Sequence, residues 1–356
     1  MDKQGKFCIL GMTSILILIS LLYSGCKDKK PEQKEFRGVW LHQPLFSANE
    51  DTAKRQITAL FDAYAGLGIN NLFCYYTLHD ENNLSWDYLQ VLITEGHRRG
   101  LRIHPIFCPG HEVNLEKALS ENPDWLIHDM EGKVCPNYNL ALPEVRKYWV
   151  NRIARALKYD IDGIHLDYIR FPVNQRFSYD SVTCDLFKRE CGYSPLEVSH
   201  DGGSMIWCEW IRWNEKQVTS LVSEIHGLIK DSGKQNILLG ADVFPNAGIS
   251  QVEIAQNWQD WAQKGIIDFV CPMLYTNNVD LFRNYLSDAV VKADSKCDVY
   301  AGIGVVTSHN KITKELLADE IRIAREAGAR GVVFFSGNSF SEEFREAIRP
   351  VLTSGE

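Results

Sequence analysis

Several absences narrow what the 356-residue chain can be. Its 10 cysteines include no Cys-x-x-Cys pair, so a zinc site built from cysteine is not expected. No His-Glu-x-x-His segment occurs, and no clustered carboxylate motif stands in for it as a catalytic metal site. No Gly-x-Gly-x-x-Gly turn follows the first candidate strand, which argues against an open dinucleotide-binding sheet. Basic runs are missing beyond residues 27–35, and the net charge is −8, so a nucleic-acid surface is not expected. No short-period internal repeat is visible. The longest apolar run, Ile9 to Leu22, falls short of the roughly 20 residues a membrane-spanning helix needs.

That run has a different use. Lys3 and Lys6 precede it, and Tyr23-Ser24-Gly25-Cys26 follows it, as in a secretory signal with small residues before the cut. Ser24-Gly25-Cys26 resembles a bacterial lipobox, although Tyr23 stands where leucine is usual and Leu22 lies one place further out. The sequence therefore predicts a signal over residues 1–25, lipidation at Cys26, and a charged tether over 26–35. An ordinary secreted protein is the alternative. Of the other cysteines, Cys74, Cys108 and Cys271 lie in apolar runs where a thiol behaves as a small hydrophobe. Cys184 and Cys191 flank one short stretch and are candidates for pairing in an oxidising compartment.

From residue 36 on, strand and helix patterns alternate. Strands are expected at 37–42, 70–76, 101–107, 163–169, 236–243, 267–274, 298–304 and 331–335. Helices are expected at 51–67, 86–99, 143–158, 205–231, 251–264, 279–293, 313–327 and 341–349, with Gly68, Gly100 and Gly265 as helix stops. Eight such repeats over about 320 residues predict one (β/α)8 TIM barrel, a single domain covering 36–356. Two connections after strands are long, 108–142 and 172–204, and long loops at that end of a barrel usually build the cleft. They carry Trp125, Asn137, Tyr138, Asn139, Phe177, Tyr179, Phe187 and Tyr193, groups that suit sugar rings or, alternatively, loop packing.

The most informative stretch is Asp162-Gly-Ile-His-Leu-Asp-Tyr-Ile-Arg-Phe-Pro172. Strand alternation puts His165 and Asp167 on one face and Ile164, Leu166 and Tyr168 on the other. Buried polar groups need partners or a task. Asp167 near the C-terminal end of a barrel strand fits catalysis; an ion pair with Arg170 is the competing reading. Together with Arg37-Gly-Val-Trp40, Asn122-Pro-Asp-Trp-Leu126, Pro143-Glu-Val-Arg146, Asp260 to Asp268 and Pro272-Met-Leu-Tyr275, the stretch resembles the family 10-like glycosyl hydrolases, bacterial barrel enzymes that are often lipoproteins. The resemblance implies hydrolysis of a sugar polymer. One characterised relative acts on peptidoglycan glycan strands stripped of their peptides.

Such hydrolysis usually takes two carboxyl groups across the scissile bond. Asp167 is the first candidate, and Asp242, near the end of the next barrel strand, is the second. Glu112, after the third strand, competes with Asp242 for the role of acid. Tyr275, His42, Tyr76, Glu112, Asn139, Arg170 and Asn338 are candidate substrate contacts, and the resemblance places Tyr275 in the cleft. His165 reads as a buried histidine holding Asp167 in place; Asp162, Asp268 and Arg37 read as structural groups at the opposite barrel face. No cofactor, metal or nucleic-acid partner is assigned, and no oligomeric state; the expected partners are an oligo- or polysaccharide and, through the lipid anchor, a membrane. A glycan-binding lipoprotein without activity and a metal-dependent hydrolase or lyase are the other classes.

Overall fold

The computed structural model describes residues 34–41, 46–76, 84–111, 113–173, 177–197 and 204–354, with only the backbone at Asn338. Cys26, His42 and Glu112 lie outside the described residues. The eight expected strands all form: β1 (Phe36–Leu41), β2 (Asn71–Tyr75), β3 (Arg102–Phe107), β6 (Gly163–Leu166), β7 (Leu238–Val243), β8 (Phe269–Pro272), β9 (Asp298–Gly304) and β10 (Gly331–Phe335). They pair in parallel in that order, and β10 closes on β1. The result is the (β/α)8 barrel, with helices outside.

The helices follow their local chemistry. α1 (Glu50–Leu67) starts at Asn49, whose side chain accepts the Thr52 N–H, and stops at Gly68, where φ is +90°. α2 (Tyr88–His97) precedes β3. The long connection after β3 holds α3 (Leu115–Glu121) and an antiparallel pair, β4 (Leu126–His128) and β5 (Val134–Tyr138), none of them expected. Their brevity, and Pro136 inside β5, hide them from a pattern search. α4 (Pro143–Ala156) begins on its proline, and α5 (Ser181–Cys191), which contains the short helical run around Phe187, fills the second long connection before α6 (Met205–Asp231).

One expected helix is two. The stretch 251–264 breaks between α7 (Ala247–Ile254) and α8 (Trp258–Lys264), because Ala255 is left-handed and Asn257 caps α8. Gln256, fully buried in the break, accepts the Phe244 N–H at 2.9 Å and donates to the Asp242 carbonyl at 3.1 Å. The break thus pins the end of β7. α9 (Val279–Ala293), α10 (Lys314–Glu326) and α11 (Glu342–Thr353) complete the outer layer.

Alternate residues of each strand point into the barrel, and rings and glycines are prominent among them. Phe36, Trp40, Phe73, Phe269 and Tyr300 belong to one buried cluster, with His104 packed among them and His165 stacked on Phe269. So many rings fit only because glycines face them. A Cβ at Gly240 would lie 2.0 Å from Phe269 Cζ, and one at Gly163 would lie 2.2 Å from His104 Nδ1. The N-terminal ends of the strands are tied by side chains, as expected. Asp162 accepts the Ile103 N–H at 2.8 Å and contacts His97, Asp268 accepts the Leu239 N–H at 2.7 Å, and Arg37 donates to the Leu352 carbonyl.

Cys184 and Cys191 are both free thiols on α5. Seven helical residues set them roughly 10 Å apart along the axis, beyond disulfide reach, so the expected pairing does not occur.

The barrel interior yields a paired prediction. Gly240→Ala should destabilise the fold by about 1–3 kcal/mol, the usual cost of overpacking. Gly227→Ala, on α6 where a Cβ meets nothing within 4 Å, should stabilise it by about 0.5–1 kcal/mol. Urea midpoints of the two variants check the pair; a neutral Gly240→Ala would contradict the tight interior.

Candidate active site

Asp167 and Asp242 come together at the C-terminal mouth of the barrel. Leu166 pairs with Ala241, so the next residues leave neighbouring strands at the same height. Adjacent strands lie about 4.8 Å apart. Both carboxyls are buried, and both line one cavity of about 480 Å³. Trp40, Tyr75 and Phe335, from the ends of β1, β2 and β10, form its floor and one wall. Tyr168, Arg170 and Phe244 form another wall, and Met273, Tyr275 and the segment Thr307–His309 close it.

The two carboxyls have different surroundings. Asp167 accepts on both oxygens: the Tyr75 hydroxyl donates to Oδ2 at 2.8 Å, and the Tyr168 N–H donates to Oδ1 at 2.7 Å. Asp242 faces the fully buried His165, whose Nε2 lies 2.9 Å from its Oδ1. The Trp40 indole N–H approaches the same nitrogen at 3.5 Å. Burial first, and the charge of Asp167 second, push the Asp242 pKa well above the usual carboxyl value, with a hydrogen bond from Trp40 opposing the rise. Burial also lowers the His165 pKa to about 3, so that the imidazole is neutral and offers Asp242 no counter-charge. His165 therefore supports Asp242 rather than Asp167, which is where the sequence had suggested it.

The phenols keep their protons. Burial raises Tyr75 well above 10, helped by Asp167, and it raises Tyr275 likewise, helped by Asp242. Both remain hydrogen-bond donors at neutral pH. The Tyr275 ring stacks on Phe335 with centroids 5.4 Å apart.

Other expectations change. Tyr76 points out of the barrel, buried against Phe107, and its carbonyl accepts from Arg152 at 2.7 Å. Strand parity explains this: Phe73 and Tyr75 face inward, so Tyr76 cannot. Asn139 is fully buried away from the cavity, bonded to Asp180, Thr183 and the Ala141 N–H. The loop aromatics pack outward as well, Trp125 and Tyr138 on Tyr148 of α4, and Phe177, Tyr179 and Phe187 on Trp210 of α6. Among the described residues the long loops give the cavity only His111 and Val173. Arg170 does line it, without an ion pair to Asp167. Asn338 sits in a short 3-10 turn after β10.

Tyr168 was expected on the outer face. Its φ of +48° ends the strand and turns the ring into the cavity, where it stacks on His111 at 4.4 Å. Gly110 is needed beside it: a Cβ there would lie 2.4 Å from the Arg170 carbonyl oxygen.

His165, Asp242 and Cys271 are a group of possible metal ligands among the described residues, with one ligand atom of each within 4.8 Å of the others. Burial raises the pKa of both Asp242 and Cys271, so the set resists the deprotonation that metal binding requires. A metal-dependent reaction is not favoured by these residues.

Known proteins give the same picture. A family model described as Glycosyl hydrolase-like 10 matches residues 53–319. The Glycosyl hydrolase DigH of Escherichia coli strain K12 is 22% identical over 359 aligned positions, covering 77% of each chain. The Glycosyl hydrolase YngK of Bacillus subtilis strain 168 is 27% identical over 215 positions, covering 53% of this chain and 39% of that one. Among solved structures, the glycoside hydrolase domain of PgaB (BpsB) from Bordetella bronchiseptica superimposes with a TM-score of 0.72 at 10% identity, covering 89% of this chain and 99% of that one, a likeness of fold.

Proposed function

Because the chain belongs to the glycosyl hydrolase-like 10 family, we propose that it hydrolyses O-glycosidic bonds of a polysaccharide with Asp167 and Asp242 as the working pair. The observation that supports this is the pair itself: two carboxyls at the same height on neighbouring strands, facing one cavity, in opposite surroundings. Glycoside hydrolysis needs one carboxyl that gives a proton to the leaving oxygen and another that stays charged. Asp242, kept protonated by burial, suits the acid. Asp167, accepting from Tyr75 and the Tyr168 N–H, supplies the negative charge that meets the electron-poor sugar carbon. Tyr75 fixes the Asp167 carboxylate, and Tyr275 offers a phenol donor to the sugar. Rings lining the cavity, Trp40 and Phe335 among them, suit the apolar faces of a sugar.

Peptidoglycan glycan strands stripped of their peptides are the first substrate to test, given the family resemblance carried by the sequence and the expected envelope location. Product release from these strands and from a panel of neutral glycans should be measured with wild type and with the two amide variants. Asp167→Asn and Asp242→Asn should each lower turnover by roughly three orders of magnitude or more, since general acid–base work alone contributes about 10²–10⁴-fold. Retention of turnover by either variant removes that residue from the pair. Binding without cleavage across the panel points instead to a glycan-binding protein.

We also propose that Cys26 carries a lipid that holds the enzyme at the membrane of a bacterial envelope. The support is the signal-like N-terminus and the near-lipobox before Cys26. Cys26→Ser should move the protein from the membrane fraction to the soluble one and change its mobility on gels. Unchanged fractionation and mobility would refute the anchor.

A further inference from the structure

Arg170 is charged, nine-tenths buried and lines the cavity beside the two carboxyls. Its guanidinium lies between two rings, 4.5 Å from the Tyr168 centroid and 4.9 Å from that of Phe244. Both rings contact the guanidinium through their faces, and ring faces accept no ordinary hydrogen bond, so its N–H groups still need polar partners. They make one long bond, from Nη1 to the Phe171 carbonyl at 3.3 Å, and Nε is buried with no partner. No carboxylate among the described residues lies within the 4 Å of an ion pair. Asp167 attracts it through space only, and burial draws the pKa of Arg170 below its ordinary value.

A buried guanidinium without a counter-ion is costly, and one left that way in a binding cavity calls for its anion from the ligand. The fork of a guanidinium matches a carboxylate in two parallel hydrogen bonds, and a clamped fork loses little freedom on binding one. The charge balance agrees. With Asp242 protonated, Asp167 and Arg170 nearly cancel, so an anionic substituent is not repelled from the Arg170 wall.

We propose that Arg170 determines specificity by pairing with a carboxylate carried on the glycan, next to the sugar that meets Asp167 and Asp242. This rests on the glycosidase reading of the same cavity and adds the charge class of the substrate. Two sources share that chemistry, a uronic acid ring and an acidic substituent attached to a neutral ring.

The experiment compares three glycans: peptide-free strands of peptidoglycan with free carboxyls, the same strands with the carboxyls converted to methyl amides, and an oligouronate. Wild type should show kcat/KM on the order of 10- to 100-fold higher for the free acid than for its amide, the range expected from one or two hydrogen bonds to a charged group. In Arg170→Gln that ratio should fall toward one, and Arg170→Lys should restore part of it. The oligouronate arm tells which source of carboxylate is read. Wild type cleaving acid and amide equally well would overturn the proposal while leaving the glycosidase reading intact. Should wild type cleave none of them, the glycosidase reading fails, and calorimetric binding of the acid and amide strands decides this proposal instead. Tighter binding of the acid, lost in Arg170→Gln, supports it; equal binding overturns it. The wild-type comparisons hold even if a variant at this buried position fails to fold.

Discussion

The site depends on one constraint: two buried carboxyl side chains from adjacent strands line one cavity, where burial and mutual repulsion oppose charge on both at once. The charge of Asp167 adds to burial in raising the Asp242 pKa. The surroundings decide which one yields. Asp167 has two donors, whereas Asp242 has a neutral imidazole and deeper burial, an arrangement that favours the proton on Asp242. An acid and a charged carboxylate then coexist at one pH without a metal or a second titrating group. His165 matters by being neutral: a charged imidazole there would draw the proton off Asp242.

The scaffold serves that asymmetry. The interior rings, fitted against Gly163 and Gly240, form a dry floor beneath the carboxyls. Gln256, in the gap between two outer helices, holds the Asp242 carbonyl and the Phe244 N–H from behind. Phe244 in turn packs on the Arg170 guanidinium, as does Tyr168, turned inward by its left-handed backbone. The strand end that places Asp242 therefore also places the clamp, and the turn that places Tyr168 directs its N–H to Asp167.

Much of this was legible in the residues. All eight barrel strands followed from apolar runs and helix-stopping glycines, and the placement of Asp167 and Asp242 on neighbouring strand ends followed from their order. Parity of two along β2 would have chosen Tyr75 over Tyr76, and the same count from Phe36 and Val333 finds Trp40 and Phe335. What stayed hidden depends on tertiary packing. Nothing local marks Tyr168 as left-handed, and Asn139 looks like any loop amide until Asp180 and Thr183 fold over it. The loop aromatics suit sugar and protein equally well; only the presence of Trp210 and Tyr148 beneath them settles their role. Thr307–His309 lies in a connection with no periodicity, so its position at the cavity had no sequence signal.

The proton on Asp242 can be observed directly by infrared difference spectroscopy of the carboxyl region. Near pH 7 the wild-type protein should show a neutral-acid component that is lost in Asp242→Asn and kept in Asp167→Asn, beside the separate contribution of Glu320, whose buried carboxyl is pushed up to about 9. As pH rises through the raised pKa of Asp242, the Asp242 component should disappear. Folding stability should decline from about pH 4 up to that raised pKa and level off above it, because between the two values the unfolded carboxyl has lost a proton that the native one still holds. A band that vanishes in Asp167→Asn instead, or a spectrum in which Asp242 is already ionised near pH 7, would contradict the division of roles between the two carboxyls.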